Sequence, residues 1–335
     1  LFAKIKVLKE IKRGELIVKI SRAIFKGAYL SVATLAFVLA FSSNTYADPI
    51  NDTDFVMTID TRLGGNPAST DFVIPTDGSG INYNVQCEAG GTIVTGQTGD
   101  YTCNYGTPGV YKIRLSGTLP QLNFSQSSGN RSKLVSIDQW GTIAWQSFSH
   151  AFDGASNMNV LATDAPDLTH VTDMSYMFYG ATSFNQPLTN FNTQNVTDMS
   201  YMFQNATSFN QRLDSFKIDA VTGMYNMLKG SGISCENLST TLDSWATQAT
   251  TLGKNNINLD DITTVPNMYN EMGRDAIAAL TARGWTISGG RFTPGCVSPD
   301  SYVSEWDMSK PATTGSATSL TTNLWGTNFK IEWIN

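Results

Sequence analysis

The chain has 335 residues, with 22 Lys plus Arg, 28 Asp plus Glu, two His and four Cys, and a formal net charge of −6. This charge argues against a nucleic-acid partner, which would need a clustered basic surface, and two histidines leave little material for His-based catalysis or a zinc site. Charged residues make up 15% of the chain, well below the usual quarter, and such a polar but uncharged composition is typical of extracellular β-rich proteins.

The first 47 residues are predicted to be a secretory signal peptide. Residues 1–27 carry eight Lys or Arg against two Glu, and residues 28–41 form a mostly apolar run of 14 that is followed by small residues ending at Ala47. Basic, apolar and small-residue segments in this order are typical of a signal peptide, here cleaved after Ala47. A transmembrane anchor is the alternative, but spanning a bilayer takes about 20 apolar residues.

After cleavage of the signal peptide, the mature chain is expected to be secreted or exposed at the cell surface and to contain no transmembrane span. Residues 48–335 carry 14 basic and 26 acidic residues, a net charge of −12. The mature protein is therefore expected to be clearly acidic.

Residues 48–125 are predicted to form an Ig-like β-sandwich. Apolar and polar residues alternate from 55 to 124 in runs such as FVMTID and GVYKIRLSG, with Gly-rich turns between them, as in small sandwiches. Residues 105–115 resemble the last strands of PKD-type Ig-like modules of surface proteins. The resemblance is partial, because CEAGG at 87–91 stands where that module has an acidic-Gly turn.

The four cysteines are expected to form disulfides, because an even number of cysteines in an exported chain favours pairing. Cys87 and Cys103 flank one turn-rich stretch, and Cys235 and Cys296 bracket a later segment. Pairing 87–103 and 235–296 is the most local of the three connectivities, and buried free thiols are the alternative.

Residues 126–231 contain a repeat with a period of 25 residues. Residues 171–195 and 196–220 are identical at 16 of 25 positions, a partial third copy begins at Val221, and residues from Trp145 fit the frame with one extra residue. This gives about four coils. Apolar spacings of three and four from Val171 to Phe178 indicate a helical turn or two. So small a unit buries its apolar side only against stacked neighbours, which predicts a solenoid.

The pattern VTDMSYMF…GATSFNQPL resembles the repeats of the BspA-type leucine-rich-repeat surface proteins, a family often catalogued under a mycoplasma lipoprotein-related repeat. The close resemblance covers about 90 residues. It implies a leucine-rich-repeat-like α/β solenoid in an exported or surface-anchored protein, with a role in adhesion to host proteins or other cells. The lipoprotein members carry an acylation cysteine at the cleavage site, whereas the first cysteine here is Cys87.

Residues 232–297 are predicted to form a helical C-terminal cap pinned by Cys235–Cys296, since a solenoid needs an atypical terminal unit. Leu238, Leu242 and Trp245 share a helical face, and Gly284 ends a second helix. Residues 298–335 repeat the pattern of residues 55–87, which predicts the truncated start of a second β-sandwich, with an independent β-hairpin as the alternative. The predicted fold class is therefore mixed, an Ig-like sandwich followed by a short α/β solenoid and its cap.

The candidate binding residues are the polar and aromatic side chains that recur at exposed repeat positions. Tyr176 and Tyr201 lie 25 residues apart with Ser175 and Ser200 beside them, and Tyr225 lies one position off the frame. Tyr supplies rigid contact area and Ser supplies adaptable hydrogen bonds, as in antibody binding surfaces. The alternative is that these tyrosines only pack along the edge of the repeats.

Asp173 and Asp198 occupy one repeat position and should lie close together if neighbouring coils stack about 4.8 Å apart. Backbone capping is the favoured role, and a structural Ca²⁺ or a catalytic pair are the alternatives. No metal motif or catalytic set is recognisable, and His150 and His170 are expected to be surface or hydrogen-bonded residues. We therefore expect no cofactor and no enzymatic activity.

These observations predict a non-enzymatic secreted or surface-exposed bacterial repeat protein that mediates adhesion, or protein or glycan binding, through its repeat surface. The expected partner is an extracellular protein or polysaccharide. The alternative is a set of accessory binding modules of a larger extracellular enzyme whose catalytic domain is not in this chain. A structural spacer of the cell envelope also fits the sequence.

Overall fold

A computed structural model describes residues 52–64, 70–126, 130–264 and 268–294, together with the backbone of four further strands. The chain divides into two units, Leu1–Ile50 and Asn51–Asn335. In the first unit, β1 (Val7–Lys12) and β2 (Glu15–Ile20) pair in an antiparallel manner. The apolar run at 28–41 and the cleavage site at Ala47 lie outside the described residues, so the signal peptide stays a prediction.

The strands of the second unit begin with a β-rich region that leads into the repeats. They are β3 (Phe55–Asp60), β4 (Asp71–Ile74), β5 (Thr76–Asp77), β6 (Asn82–Gln86), β7 (Ile93–Gln97), β8 (Tyr101–Asn104), β9 (Val110–Thr118), β10 (Gln121–Leu122), β11 (Leu134–Gln139) and β12 (Asn159–Val160). Six of them form one sheet in the order β12-β11-β3-β9-β6-β7, and β4–β8 and β5–β10 form two small sheets. All these pairs are antiparallel except β11–β12, which is parallel.

The core of this region continues into the repeats. Strand β3 is buried along almost its whole length because it lies inside the six-stranded sheet. Phe55 on β3 packs against Trp140 and Trp145, with ring centroids 5.9 and 5.2 Å apart. Trp140 in turn packs edge-on against Phe191 of the repeats at 5.6 Å. Large rings thus join the sheet and the repeats in one apolar core.

Successive repeats stack in register through backbone hydrogen bonds. Tyr176 N donates to Ser200 O at 2.9 Å, and Tyr201 N donates to Tyr225 O at 2.8 Å. Isolated parallel bridges join Asp173 to Asp198 and Asp198 to Gly223. On another side of the stack, Asn side chains also link each repeat to the next. Asn185 N donates to Asn159 Oδ1, Asn210 N to Asn185 Oδ1, and Ser234 N to Asn210 Oδ1.

The apolar repeat positions are buried as rows of like residues. Phe178 and Phe203 stack at 5.6 Å, Phe184 and Phe209 at 5.7 Å, and all four rings are fully buried. Val and Met positions of the same repeats are equally buried. One repeat thus covers the apolar side of the next, which explains why the units occur in tandem.

The repeats end against two helices and a short parallel strand pair. Helix α1 (Cys235–Leu252) begins at the N-cap Ser234 and ends at Gly253, which has a left-handed φ of 67°. Helix α2 (Glu271–Thr281) follows β13 (Asn258–Asp261), and β14 (Thr286–Ser288) pairs with β13. Further along the chain, β15 (Ser319–Leu324) and β16 (Thr327–Glu332) pair in an antiparallel manner.

The predicted fold class is wrong. The described residues are mostly β-strands and turns with only two α-helices, both after the repeats. The described residues form no Ig-like sandwich, because the main sheet includes β11 and β12 from beyond residue 125, and β12 comes from the first repeat.

The repeats also do not form a leucine-rich-repeat-like α/β solenoid. Residues 161–234 contain single turns and isolated bridges instead of a helix or strand in each repeat. The physical reason is the backbone at His150, Tyr176 and Tyr201, where φ is 54°, 57° and 62°. A residue with positive φ interrupts an α-helix after a single turn, although the apolar spacing of three and four is the same.

The disulfide between Cys87 and Cys103 is confirmed, with a Cα–Cα distance of 5.6 Å. Cys235 is disulfide-bonded, and Cys296 lies outside the described residues, so the pairing 235–296 stays a prediction. The domain boundaries at 47, 125, 231 and 297 also stay predictions. Among the described residues, no helix has the length and apolarity needed to cross a membrane.

Candidate functional site

Four aromatic side chains of successive repeats form a continuous row on the surface, which we call the aromatic strip: His150, Tyr176, Tyr201 and Tyr225. The His150 and Tyr176 rings stack at 4.5 Å and 10°, and the Tyr176 and Tyr201 rings at 4.4 Å and 16°. Tyr225 meets Tyr201 edge-on, at 5.3 Å and 67°. The structure therefore brings together the three tyrosines that the sequence singled out.

The backbone of the strip is strained. His150, Tyr176 and Tyr201 all have left-handed φ angles, and Asn226 occupies the same repeat position with φ 52°. This conformation costs an ordinary L-residue about 1–2 kcal/mol and is tolerated best by Gly, Asn and Asp. The hydrogen bonds to the next repeat hold the backbone here. An aromatic residue is therefore not what the backbone favours at this position.

The serines and aspartates beside the strip form hydrogen bonds with the backbone of the turns that carry it. Asp173 Oδ1 accepts a hydrogen bond from Ser175 N at 2.8 Å, and Asp198 Oδ1 accepts one from Ser200 N at 2.8 Å. Ser200 Oγ in turn accepts a hydrogen bond from Tyr225 N at 3.2 Å. Both carboxylates thus cap backbone amides, the role favoured from the sequence.

The calcium alternative for Asp173 and Asp198 stays a prediction. The bridge between the two residues places their backbones side by side, as equal repeat positions require. Within the described ranges, no cluster of three or more His, Cys, Asp or Glu is arranged to hold a metal ion.

The two ends of the strip differ in their polar contacts. At the first end, His150 Nδ1 lies 2.7 Å from Asp153 Oδ2. At the other end, the Asp260 carboxylate raises the pKa of Tyr225, as a hydrogen-bonding partner and as a negative charge. Partial burial and then the neighbouring Tyr201 raise the pKa of Tyr176. Because both pKa values are raised, Tyr176 and Tyr225 are neutral hydrogen-bonding groups at physiological pH.

Sequence reasoning missed two members of this site. His150 was expected to be a surface or hydrogen-bonded residue, and it contacts Asp153. The sequence did not predict that its ring continues the tyrosine row, because the extra residue in the first repeat places it 26 positions before Tyr176. Asp260 lies on β13, after α1, where no repeat pattern is visible in the sequence. The other histidine, His170, is exposed.

A second concave region lies between the repeats and α1. It is a pocket of about 320 Å³ lined by Gln194, Lys217, Asp219, Thr247, Gln248, Thr251 and Leu252. Gln248 uses both ends of its amide on the repeat backbone, accepting from Ile218 N and donating to Phe216 O. Thr251 also donates to Thr247 O. Gln248 therefore holds α1 to the repeats, whereas the Thr251 hydrogen bond lies within α1.

Comparison with known families finds a match over the part of the chain that contains this site. Residues 146–260 match a family model described as a Mycoplasma protein of unknown function, DUF285, which is found in BspA-like surface proteins. The match spans about a third of the chain and includes the whole aromatic strip. Neither the curated proteins nor the solved structures contain a match to this chain.

Proposed function

We propose that this protein is a non-enzymatic, exported binding protein that attaches to an extracellular protein or polysaccharide through the aromatic strip. The similarity of residues 146–260 to a family found in BspA-like surface proteins supports a location outside the cell. The chemistry of the strip supports binding. It offers rigid aromatic edges and hydroxyl groups, with Ser175 and Ser200 beside them, and no nucleophile with an activating base.

The observation that carries the proposal is the combination of strained backbone and aromatic side chain at Tyr176 and Tyr201. The protein tolerates Asn at the same position in the next repeat, where Asn226 has the same backbone conformation. Strained residues that persist where an easier residue would fit are concentrated at functional sites. The tyrosines are therefore best explained by contacts of their rings with a binding partner.

The stacking also limits the kind of contact. Both faces of the Tyr176 ring are covered, one by His150 and one by Tyr201. A partner can reach only the ring edges and the hydroxyl group there, so recognition at the middle of the strip works by hydrogen bonds and edge contacts. An extended chain that runs along the stack would meet one such group per repeat, which provides avidity.

The test is a binding screen of the full chain against extracellular matrix proteins and glycans, repeated with the double variant Tyr176→Asn/Tyr201→Asn. The variant should lose at least about tenfold in affinity for the partner found, since aromatic interface residues commonly contribute more than 1.4 kcal/mol each. Ser183→Asn/Ser208→Asn is the matched control, because these serines are exposed at equal positions of the same two repeats and lie outside the strip. Equal loss in the control, or unchanged binding by the double variant, would contradict the proposal.

A further inference from the structure

The aromatic strip changes geometry at its last ring. From His150 to Tyr201 the rings are nearly parallel, whereas Tyr225 stands at 67° to Tyr201. Tyr225 is also 37% exposed, although it is a large apolar side chain. Two rings that meet edge to face leave a ring face uncovered, unlike the closed stack before them. We call this place the Tyr201–Tyr225 corner.

A carboxylate lies beside the corner. Asn226 N donates to Leu259 O at 3.1 Å, so Asp260 on β13 lies next to Tyr225. The Asp260 carboxylate accepts a hydrogen bond from Ser288 Oγ at 3.2 Å. As a hydrogen-bonding and negatively charged neighbour it also raises the pKa of Tyr225.

An uncovered aromatic face next to a carboxylate is a favourable environment for an organic cation. The ring quadrupole attracts the cation, and the carboxylate supplies a charge-assisted hydrogen bond. The net charge of −12 over residues 48–335 favours the approach of a basic partner.

We infer that the Tyr201–Tyr225 corner, with Asp260, binds a Lys or Arg side chain of the protein partner. This inference rests on the proposed function and specifies the chemistry of the partner at one end of the strip. The closed stack then provides edge and hydroxyl contacts, and the corner provides the charge-selective contact.

One cationic group of the protein itself lies near the corner. Lys229 weakens the upward shift of the Tyr225 pKa, so its charge is felt there, but its ammonium group pairs with Asp261 Oδ2 at 3.2 Å. Lys229 therefore competes with an incoming cation. The preceding repeat has Gln204 at the same position, so Lys229→Gln is a substitution that the repeat tolerates and that should tighten binding.

The test uses the full chain and an oligolysine peptide, with oligoglutamate as the control peptide, in calorimetric titrations at low salt. Asp260→Asn and Tyr225→Ser should each weaken oligolysine binding by about tenfold, as expected for one charge-assisted contact or one cation–π contact. Ser occupies the Tyr225 position in the two preceding repeats, as Ser175 and Ser200. Thermal unfolding of each variant verifies that it is folded.

Matched variants separate a specific site from general attraction to an acidic protein. Asp243→Asn removes the same charge from an exposed position on α1 and should change the affinity by less than about twofold, because a distant exposed charge is screened. Tyr225→Phe keeps the ring and should retain most of the binding, and Lys229→Gln should increase it.

Equal effects of Asp243→Asn and Asp260→Asn, or no effect of Tyr225→Ser, would overturn the inference. Failure here is distinguishable from failure of the proposed function. If Tyr176→Asn/Tyr201→Asn still abolishes partner binding while the corner variants bind oligolysine normally, the strip binds its partner without a cation at the corner.

Discussion

Replacing Tyr176 and Tyr201 together by Asn should leave the stability of the protein almost unchanged. Two opposing effects determine the outcome. The change removes four ring contacts, three within the strip at 4.4, 4.5 and 5.3 Å and one between Tyr176 and Tyr179 at 5.6 Å, each worth about 0.5–1.5 kcal/mol beyond the area buried. It also relieves the left-handed strain of two residues, which costs an aromatic residue about 1–2 kcal/mol each. The net change should therefore lie within about 2 kcal/mol of zero.

Two comparison variants make the reasoning testable. Tyr176→Ala/Tyr201→Ala loses the same contacts but gains little backbone relief, since Asn is several-fold enriched in this conformation. The Ala pair should therefore be less stable than the Asn pair by about 2–4 kcal/mol, the strain assigned to the two residues together. Phe178→Ala, at a fully buried position of the same repeat, should cost about 3–5 kcal/mol.

The assay is urea unfolding of the full chain followed by tryptophan fluorescence, supported by calorimetry. For a unit of this size a change of 1 kcal/mol moves the melting temperature by about 2–4 °C. The reasoning would be refuted if the Asn pair destabilised the protein as much as Phe178→Ala. The tyrosine rings would then be structural members of the stack, as the alternative sequence interpretation held.

Two further predictions follow from the β-rich region. Replacing Cys87 and Cys103 together by Ser should cost about 3 kcal/mol in urea unfolding, because their disulfide closes a loop of 16 residues; an unchanged midpoint under matched non-reducing conditions would contradict this. Burial raises the pKa of Tyr83 and of Tyr105, so the folded protein holds those protons more tightly than the unfolded chain. These two groups should therefore not affect the free energy of unfolding below pH about 10, and should lower it as the pH rises above that value. A free energy of unfolding that stays constant above pH about 10 would contradict this prediction.

The sequence predicts the apolar rows of the repeats because a 25-residue identity aligns them without any structural information. Phe178 and Phe203 occupy one such row and stack as expected. The buried face of α1 is also predictable from the sequence, since Leu238 and Trp245 follow a helical spacing and are fully buried. The Cys87–Cys103 disulfide follows from short separation and turn-rich sequence.

The conformation of the repeats could not be predicted in the same way. Apolar spacings of three and four fit both an α-helix and a single turn, and the difference lies in backbone angles. One signal was present: positions 154, 180, 205 and 230 hold Gly, Gly, Asn and Gly, and all have φ between 60° and 70°. These are the residue types that favour left-handed backbone, and their recurrence marks the end of each turn.

The assembly of the six-stranded sheet depends on pairings between distant segments. Strand β11 pairs with β3, which lies about 80 residues earlier in the chain, and with β12 of the first repeat. Alternating residues identify strands but not their neighbours, so the sequence suggested a self-contained sandwich ending near residue 125. The position of Asp260 beside Tyr225 could not be predicted either, because it depends on how the chain continues after α1.

The most direct test of the central claim is hydroxyl-radical footprinting of the full chain, with and without its bound partner. The aromatic strip account predicts protection of Tyr176, Tyr201 and Tyr225 on binding, while Tyr101 and Tyr269, which lie outside the strip, keep their reactivity. Protection confined to tyrosines outside the strip, with Tyr176 and Tyr201 as reactive as in the free protein, would contradict the account.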